Sequence, residues 1–210
     1  MFVKICGITR PEDARFAAEC GADALGLIFV PSSPRLVTRQ EADTILRQVP
    51  AGVETIAVVA NEKPSFLKEL LRVCDFSGIQ FHGDEPPEEV LAVKAPGRMV
   101  IKAIRVAGPQ SLEKIPAYRG VDAVLLDTHR PGRLGGTGET FDWNLAREAA
   151  GFGIPVLLAG GLTPENVAGA IRQTAPFGVD VVSGVEATPG RKNSDRVKQF
   201  IRNAKGASQK

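Results

Sequence analysis

The segment Ile154–Asn166 reads IPVLLAGGLTPEN. A short apolar run stops at a pair of glycines, and a Thr-Pro-Glu start signal follows at once. Such a run predicts a buried strand, and the signal predicts a helix with Thr163 as N-cap and Pro164 at its first position. The segment is therefore one strand-to-helix unit of a parallel sheet. The same pattern recurs from end to end of the chain. Strand candidates are FVKICGI from Phe2, ALGLIFV from Ala24, VETIAVVA from Val53, GIQFHG from Gly78, MVIKAIRV from Met99, DAVLLDT from Asp122, the quoted run from Ile154, and VDVVSG from Val179. Helix starts are expected at Thr9-Arg10-Pro11-Glu12, Thr38 with Glu41, Lys63-Pro64, Gly108-Pro109, Asp142, Thr163-Pro164-Glu165 and near Ser194.

Eight units in 210 residues leave about 26 residues for each, small but workable for an α/β chain closed into a (β/α)8 TIM barrel. An open doubly wound sheet is the competitor, and no G-x-G-x-x-G opens the first helix to support it. The expectation is one barrel domain over residues 1–210. The glycine-rich segment from Arg130 to Thr140 is too short for a second module and reads as a loop after strand six. The tail from Gly206 to Lys210 is expected to fray.

Composition narrows the function classes. Apolar residues make up 43% and charged residues 24%, ordinary globular usage that supports a buried core. The formal net charge is +2 with the signs interspersed, so no field points to nucleic acid or an anionic membrane. The N-terminus reads as a strand without a basic leader, and no apolar run approaches the roughly 18 residues of a membrane span. A cytoplasmic protein, monomer or homodimer, acting on a small charged ligand is expected. Cys6, Cys20 and Cys74 are odd in number and widely spaced, which argues against a disulfide framework or a zinc site. Cys20 and Cys74 fall on or beside helices and read as packing residues.

In a barrel the functional groups gather where the strands end and eight loops converge. Cys6 ends strand one, Gln80 and His82 end strand four, Asp127 ends strand six, and glycine-bearing turns end strands seven and eight. Side chains alternate along a strand, so Lys4 and Cys6 share the face turned to the mouth. A thiol beside an ammonium can be drawn toward thiolate and act as base or nucleophile; the alternative is a small buried packing residue. Asp127, at the end of an apolar strand, is a candidate general acid, or else a cap or the partner of a loop cation such as Arg130. His82 could orient substrate, act as a base, or simply be a hydrogen-bonded structural residue. Arg35, in SSPRLVT after strand two, could clamp a carboxylate through two parallel hydrogen bonds, or be solvated. The turns at Gly160-Gly161 and Ser183-Gly184 offer bare backbone N–H groups, and in barrels these two loops often share one phosphate. The segment from Arg130 to Thr140 could close over a ligand.

Taken together, KICGIT, SPR, QFHGDE, LLDT, GGTGETFDW, LAGGLTPEN and DVVSGVE closely resemble the phosphoribosylanthranilate isomerases of tryptophan biosynthesis. The order and spacing of these motifs span nearly the whole chain. The resemblance implies a barrel and an Amadori rearrangement, in which the aminoaldose N-(5-phosphoribosyl)anthranilate becomes the aminoketose 1-(2-carboxyphenylamino)-1-deoxyribulose 5-phosphate. It implies no cofactor and no metal, and a phosphorylated aminosugar as the partner. It further implies Cys6 as general base, Asp127 as general acid, Arg35 at the anthranilate carboxylate, and Gly160-Gly161 with Ser183-Gly184 at the phosphate. Two positions depart from the family's pattern. Glu139 stands where a basic residue often follows GGTG, and FHG on strand four replaces LHG. Two other readings of the same residues are a hydrolase or transferase using Cys6 as covalent nucleophile with His82 as base, and a silent sugar-phosphate binding protein.

Overall fold

The structure, a computed structural model, describes residues 1–128 and 142–207. The expectations for the segment 130–140 and Glu139, and for the last residues of the tail, lie outside the described residues.

Eight parallel strands close into a barrel in sequence order, with β8 pairing back onto β1. They are β1 (Phe2–Cys6), β2 (Ala24–Ile28), β3 (Glu54–Val59), β4 (Gly78–Phe81), β5 (Met99–Val106), β6 (Ala123–Thr128), β7 (Val156–Leu158) and β8 (Gly178–Val181). Between and after them run α1 (Pro11–Glu19), α2 (Arg39–Leu46), α3 (Pro64–Val73), α4 (Pro87–Ala92), α5 (Asn144–Ala150), α6 (Val167–Thr174) and α7 (Ser194–Ala207). A two-stranded antiparallel hairpin, β9 (Glu186–Thr188) and β10 (Arg191–Lys192), follows β8. No helix among the described residues is long and apolar enough to cross a membrane.

The barrel closes because each strand is apolar on both faces. One alternating set, including Val3, Ile5, Leu25, Leu27, Ile79 and Val179, packs outward beneath the helices. The other set, including Ala24, Ile56, Ile101, Leu125 and Leu157, fills the interior. Every Val, Leu or Ile so buried contributes roughly 1.5–3 kcal/mol before entropy is counted. Inward positions at the N-terminal end are packed solid, so the cavity lies at the opposite end, where the inward residues turn polar.

Local signals set most helix starts. Thr38 and Glu41 form a reciprocal capping box, with Glu41 N–H donating to Thr38 Oγ1 at 3.2 Å and Thr38 N–H to Glu41 Oε2 at 2.7 Å. Pro11 and Pro64 open α1 and α3, and the Asp142 carboxylate accepts from Asn144 N–H at 3.0 Å at the start of α5. Two starts differ from expectation. After β5 the chain forms a 3-10 run, Pro109–Tyr118, because Pro116 inside it has no N–H for an α-helical ladder. After β7 the helix begins at Val167, later than Thr163 and Pro164. The cause is Asn166, whose side chain accepts from Thr163 N–H at 2.8 Å and donates to the Gly161 carbonyl at 2.9 Å, locking residues 164–166 into a turn.

Candidate active site

At the C-terminal mouth of the barrel lies a cavity of about 680 Å³. Cys6, Arg35, Gln80, His82, Asp127, Gly160, Gly161, Ser183 and Gly184 all line it. Residues separated by most of the chain are thus brought to one space by the alternation and register of the strands.

Cys6 stands at the end of β1 above a buried ion pair. Lys4, two residues earlier on the same face, is fully buried, and its Nζ lies 2.7 Å from Asp180 Oδ1 on the neighbouring strand β8. Burial opposes the Lys4 charge, yet Asp180 and Cys6 outweigh it and hold the ammonium above its ordinary value. Lys4 therefore sits beneath the mouth rather than at it, as a permanent cation under the thiol. The expected lowering of the thiol does not follow. Burial pushes Cys6 up, Lys4 pulls it down, Asp180 pushes it up again and Lys192 pulls it down, and the balance leaves it raised. Desolvation and the Asp180 carboxylate defeat the ammonium. Lys192, from β10, donates to the Cys6 carbonyl at 2.6 Å and to the Val182 carbonyl at 3.1 Å, fixing the backbone that carries the thiol.

Across the cavity, Asp127 is the penultimate residue of β6. Its Oδ1 accepts from Thr128 N–H at 2.8 Å, and its Oδ2 lies 3.2 Å from His82 Nε2. His82 Nδ1 in turn lies 2.9 Å from Gln80 Nε2. Gln80 and His82, expected at the substrate, spend these contacts on each other and on Asp127. Gln80 Oε1, buried, has no hydrogen-bond partner among the described residues. The loop behind His82 is pinned by a second buried ion pair. Lys102 Nζ lies 2.9 Å from Glu85 Oε2 and donates to the Gly83 carbonyl at 2.7 Å, while Glu85 Oε1 accepts from the N–H groups of Asn61 and Gly83.

Arg35 is a carboxylate clamp, but the carboxylate it holds in this structure is Glu186, at the start of β9. Arg35 Nε donates to Oε1 at 2.8 Å and Nη2 to Oε2 at 2.6 Å. That bidentate contact raises the Arg35 pKa above the ordinary value. The side chain reaches this place by passing over Gly7, where an added Cβ would stand 2.8 Å from Arg35 Cδ. Gly7 also has φ +71°, so both space and backbone call for glycine directly after Cys6.

The two glycine-bearing turns meet. A Cβ on Gly184 would overlap the Leu162 carbonyl oxygen, so the loops after β7 and β8 touch at backbone distance. Arg196 of α7 fastens them, donating from Nε to the Gly184 carbonyl at 2.8 Å and pairing with Glu165 through both terminal nitrogens at 3.0 Å.

Sequence reasoning did not single out Asp180, Glu186, Lys192 or Arg196, and it turned Lys4 with Cys6 toward the mouth. A signal was present for Asp180 and Lys4: each is a charge alternating with apolar residues inside a strand, a position that demands a partner.

The sequence matches the family described as N-(5'-phosphoribosyl)anthranilate (PRA) isomerase over residues 3–203. N-(5'-phosphoribosyl)anthranilate isomerase of Geobacter sulfurreducens is 50% identical over 204 residues, covering 97% of this chain and 98% of that protein. Among solved structures, phosphoribosyl anthranilate isomerase from Thermotoga maritima is 42% identical with a TM-score of 0.91, covering 98% of this chain and 99% of that one. A phosphoribosyl anthranilate isomerase in complex with reduced 1-(o-carboxyphenylamino)-1-deoxyribulose 5-phosphate is 40% identical with a TM-score of 0.88, covering 98% of this chain and 99% of that one.

Proposed function

The chain belongs to the N-(5'-phosphoribosyl)anthranilate isomerase family, and from that premise we propose that Cys6 and Asp127 are the base and acid of its aminoaldose-to-aminoketose rearrangement. The observation that carries the proposal is the convergence of a thiol from β1 and a carboxyl from β6 on one cavity that also holds a guanidinium and two touching glycine turns.

The substrate has three handles for this cavity. Its phosphate suits the turns at Gly160-Gly161 and Ser183-Gly184, which line the cavity and whose glycines carry no side chain to cover the backbone. Its anthranilate carboxylate suits Arg35. Held at both ends, the pentose lies with its reacting carbons between acid and base. Asp127 gives a proton to the furanose ring oxygen as the C1–O bond breaks, and the anthranilate nitrogen lone pair forms the C1=N bond of a protonated imine. Cys6 thiolate takes the C2 proton; the C–H electrons become the C1=C2 bond and neutralise the nitrogen. The enolamine then gains a proton at C1 and loses the one on O2, giving the ketone. The raised thiol fits this order, because the cationic imine forms beside the sulfur before its proton-accepting step and favours the thiolate.

The test is the loss of fluorescence of freshly made phosphoribosylanthranilate in steady state. Cys6→Ala and Asp127→Asn are each expected to lower turnover by at least about 100-fold with the fold intact. Near-normal turnover in either variant removes that residue from its role. A substrate adduct on Cys6, seen by mass spectrometry, would favour covalent catalysis instead.

A further inference from the structure

Glu186 is 4% exposed at its side chain, and both oxygens of its carboxylate accept hydrogen bonds. Oε1 accepts from Arg35 Nε at 2.8 Å, from Gly190 N–H at 3.2 Å and from Lys192 Nζ at 3.3 Å; Oε2 accepts from Arg35 Nη2 at 2.6 Å. A carboxylate already shared by two cations is committed to holding them rather than to acting as a base. Arg35 is in the opposite condition. A guanidinium carries two donor forks, Nε with Nη2 and Nη1 with Nη2. Glu186 occupies the first, and Arg35 lines the cavity with the second uncommitted among the described residues.

We propose that Glu186 is a positioning residue for specificity, gripping the Nε/Nη2 edge of Arg35 so that the Nη1/Nη2 edge is presented to the carboxylate on the substrate's aromatic ring. This rests on the assignment of Arg35 to that carboxylate. Two features support it. An arginine side chain has several rotatable bonds, and a loop residue left alone would spend that freedom against any ligand it bound; the bidentate grip removes the freedom before the substrate arrives. Lys192 makes the grip sustainable. It gives the buried carboxylate a second cation, and its own bond to the Cys6 carbonyl ties the carboxylate-recognising arm to the strand that carries the base. Burial alone would push Glu186 up, but Arg35, Lys192 and the Gly190 N–H overcome it and hold the carboxyl below the ordinary value, so it stays charged.

The experiment compares two unreactive ligands by calorimetry: reduced 1-(2-carboxyphenylamino)-1-deoxyribulose 5-phosphate and its phenylamino analogue lacking the carboxylate. Wild type is expected to prefer the first by roughly tenfold or more, the worth of a charge-assisted bidentate contact. Glu186→Gln is expected to cut that preference at least about fivefold while its affinity for the carboxylate-free analogue moves less than about twofold, and to lower kcat/KM chiefly through KM. Glu186→Asp, which keeps the charge for Lys192 but cannot span both guanidinium nitrogens, is expected to do the same and stands in if circular dichroism shows Glu186→Gln misfolded. A folded variant with wild-type preference overturns the inference alone. A preference that grows on substitution also overturns it, since Glu186 would then be a competitor of the substrate. A wild-type protein that binds both analogues alike overturns the assignment of Arg35 and the inference with it.

Discussion

His82 Nε2 stands 3.2 Å from Asp127 Oδ2 across the mouth of the barrel, linking the end of β4 to the end of β6. Gln80 Nε2 lies 2.9 Å from His82 Nδ1 on the other side of the ring, so the imidazole is held at both nitrogens and presents Nε2 to Asp127. In that arrangement His82 is placed to orient Asp127 while still lining the cavity. Losing one hydrogen bond to a carboxylate costs about 1.5–3 kcal/mol, or roughly 10- to 100-fold in rate. His82→Ala is expected to lower kcat by that amount, and by less than Asp127→Asn, in the same fluorescence assay. A loss as deep as that of Asp127→Asn would make His82 itself the acid.

The charges around Cys6 predict a pH profile. The thiol is raised from its ordinary range, so thiolate is scarce near neutrality and kcat/KM is expected to climb with pH on its alkaline side. The charged groups near the sulfur are Lys4, Asp180 and Lys192, with Arg35 also within electrostatic reach. Lys4→Met removes a cation that pulls the thiol down and leaves Asp180, which pushes it up, without its partner. Both changes have the same sign, and the ascending limb is expected to move to higher pH. A limb that stays in place, measured on protein shown folded by circular dichroism, would mean that Cys6 does not set it.

The strands were legible because each is a short apolar run bounded by glycine, proline or aspartate, and closure followed from counting them. The nine cavity residues were legible because a strand's end is a place on the barrel, so sequence position became spatial position. What could not be read was pairing. Lys4 meets Asp180 at a separation of 176 residues and Arg35 meets Glu186 at 151, distances in sequence that closure of the barrel through β8, β1 and β2 brings together. The thiol's direction of shift failed for the same reason: Lys4 was visible two residues away, while Asp180 and the depth of burial were not. The delayed start of α6 shows a smaller limit, since the Asn166 side chain bonds back to Thr163 N–H and the Gly161 carbonyl and holds the residues before Val167 in a turn.

Two glycines predict opposite outcomes for one substitution. Gly184→Ala would drive a methyl into the Leu162 carbonyl, a backbone atom that cannot swing aside, so the touching turns must separate. The KM for phosphoribosylanthranilate is expected to rise by at least about tenfold, the equivalent of one good interaction lost. Gly169→Ala, on the exposed side of α6 with nothing within 4 Å of the new methyl, stiffens the unfolded chain and costs the helix nothing. It is expected to stabilise by about 0.5–1 kcal/mol with turnover unchanged. Urea unfolding and the fluorescence assay read both, and equal KM values for Gly184→Ala and the parent would remove that turn from the phosphate.

The Lys102–Glu85 pair predicts how the loop carrying His82 is held. Both side chains are 2% exposed, and together they engage the Gly83 carbonyl and the N–H groups of Gly83 and Asn61. Burial pulls the Lys102 ammonium down and Glu85 supports it, yet the balance leaves its pKa below the ordinary value, so the pair is not a surplus of attraction. Removing one member leaves the other charge uncompensated, which costs about 3–5 kcal/mol, whereas removing both leaves a far smaller deficit. Lys102→Met is therefore expected to destabilise by about 3–5 kcal/mol, and Lys102→Met with Glu85→Gln by clearly less, in urea unfolding. Because Glu85 also accepts two backbone N–H groups, the glutamine in the double variant keeps one acceptor for them and should hold the loop in place. If the single and double variants unfold alike, the pair is not what pins the strand-four loop, and the N–H contacts of Glu85 would carry that task alone.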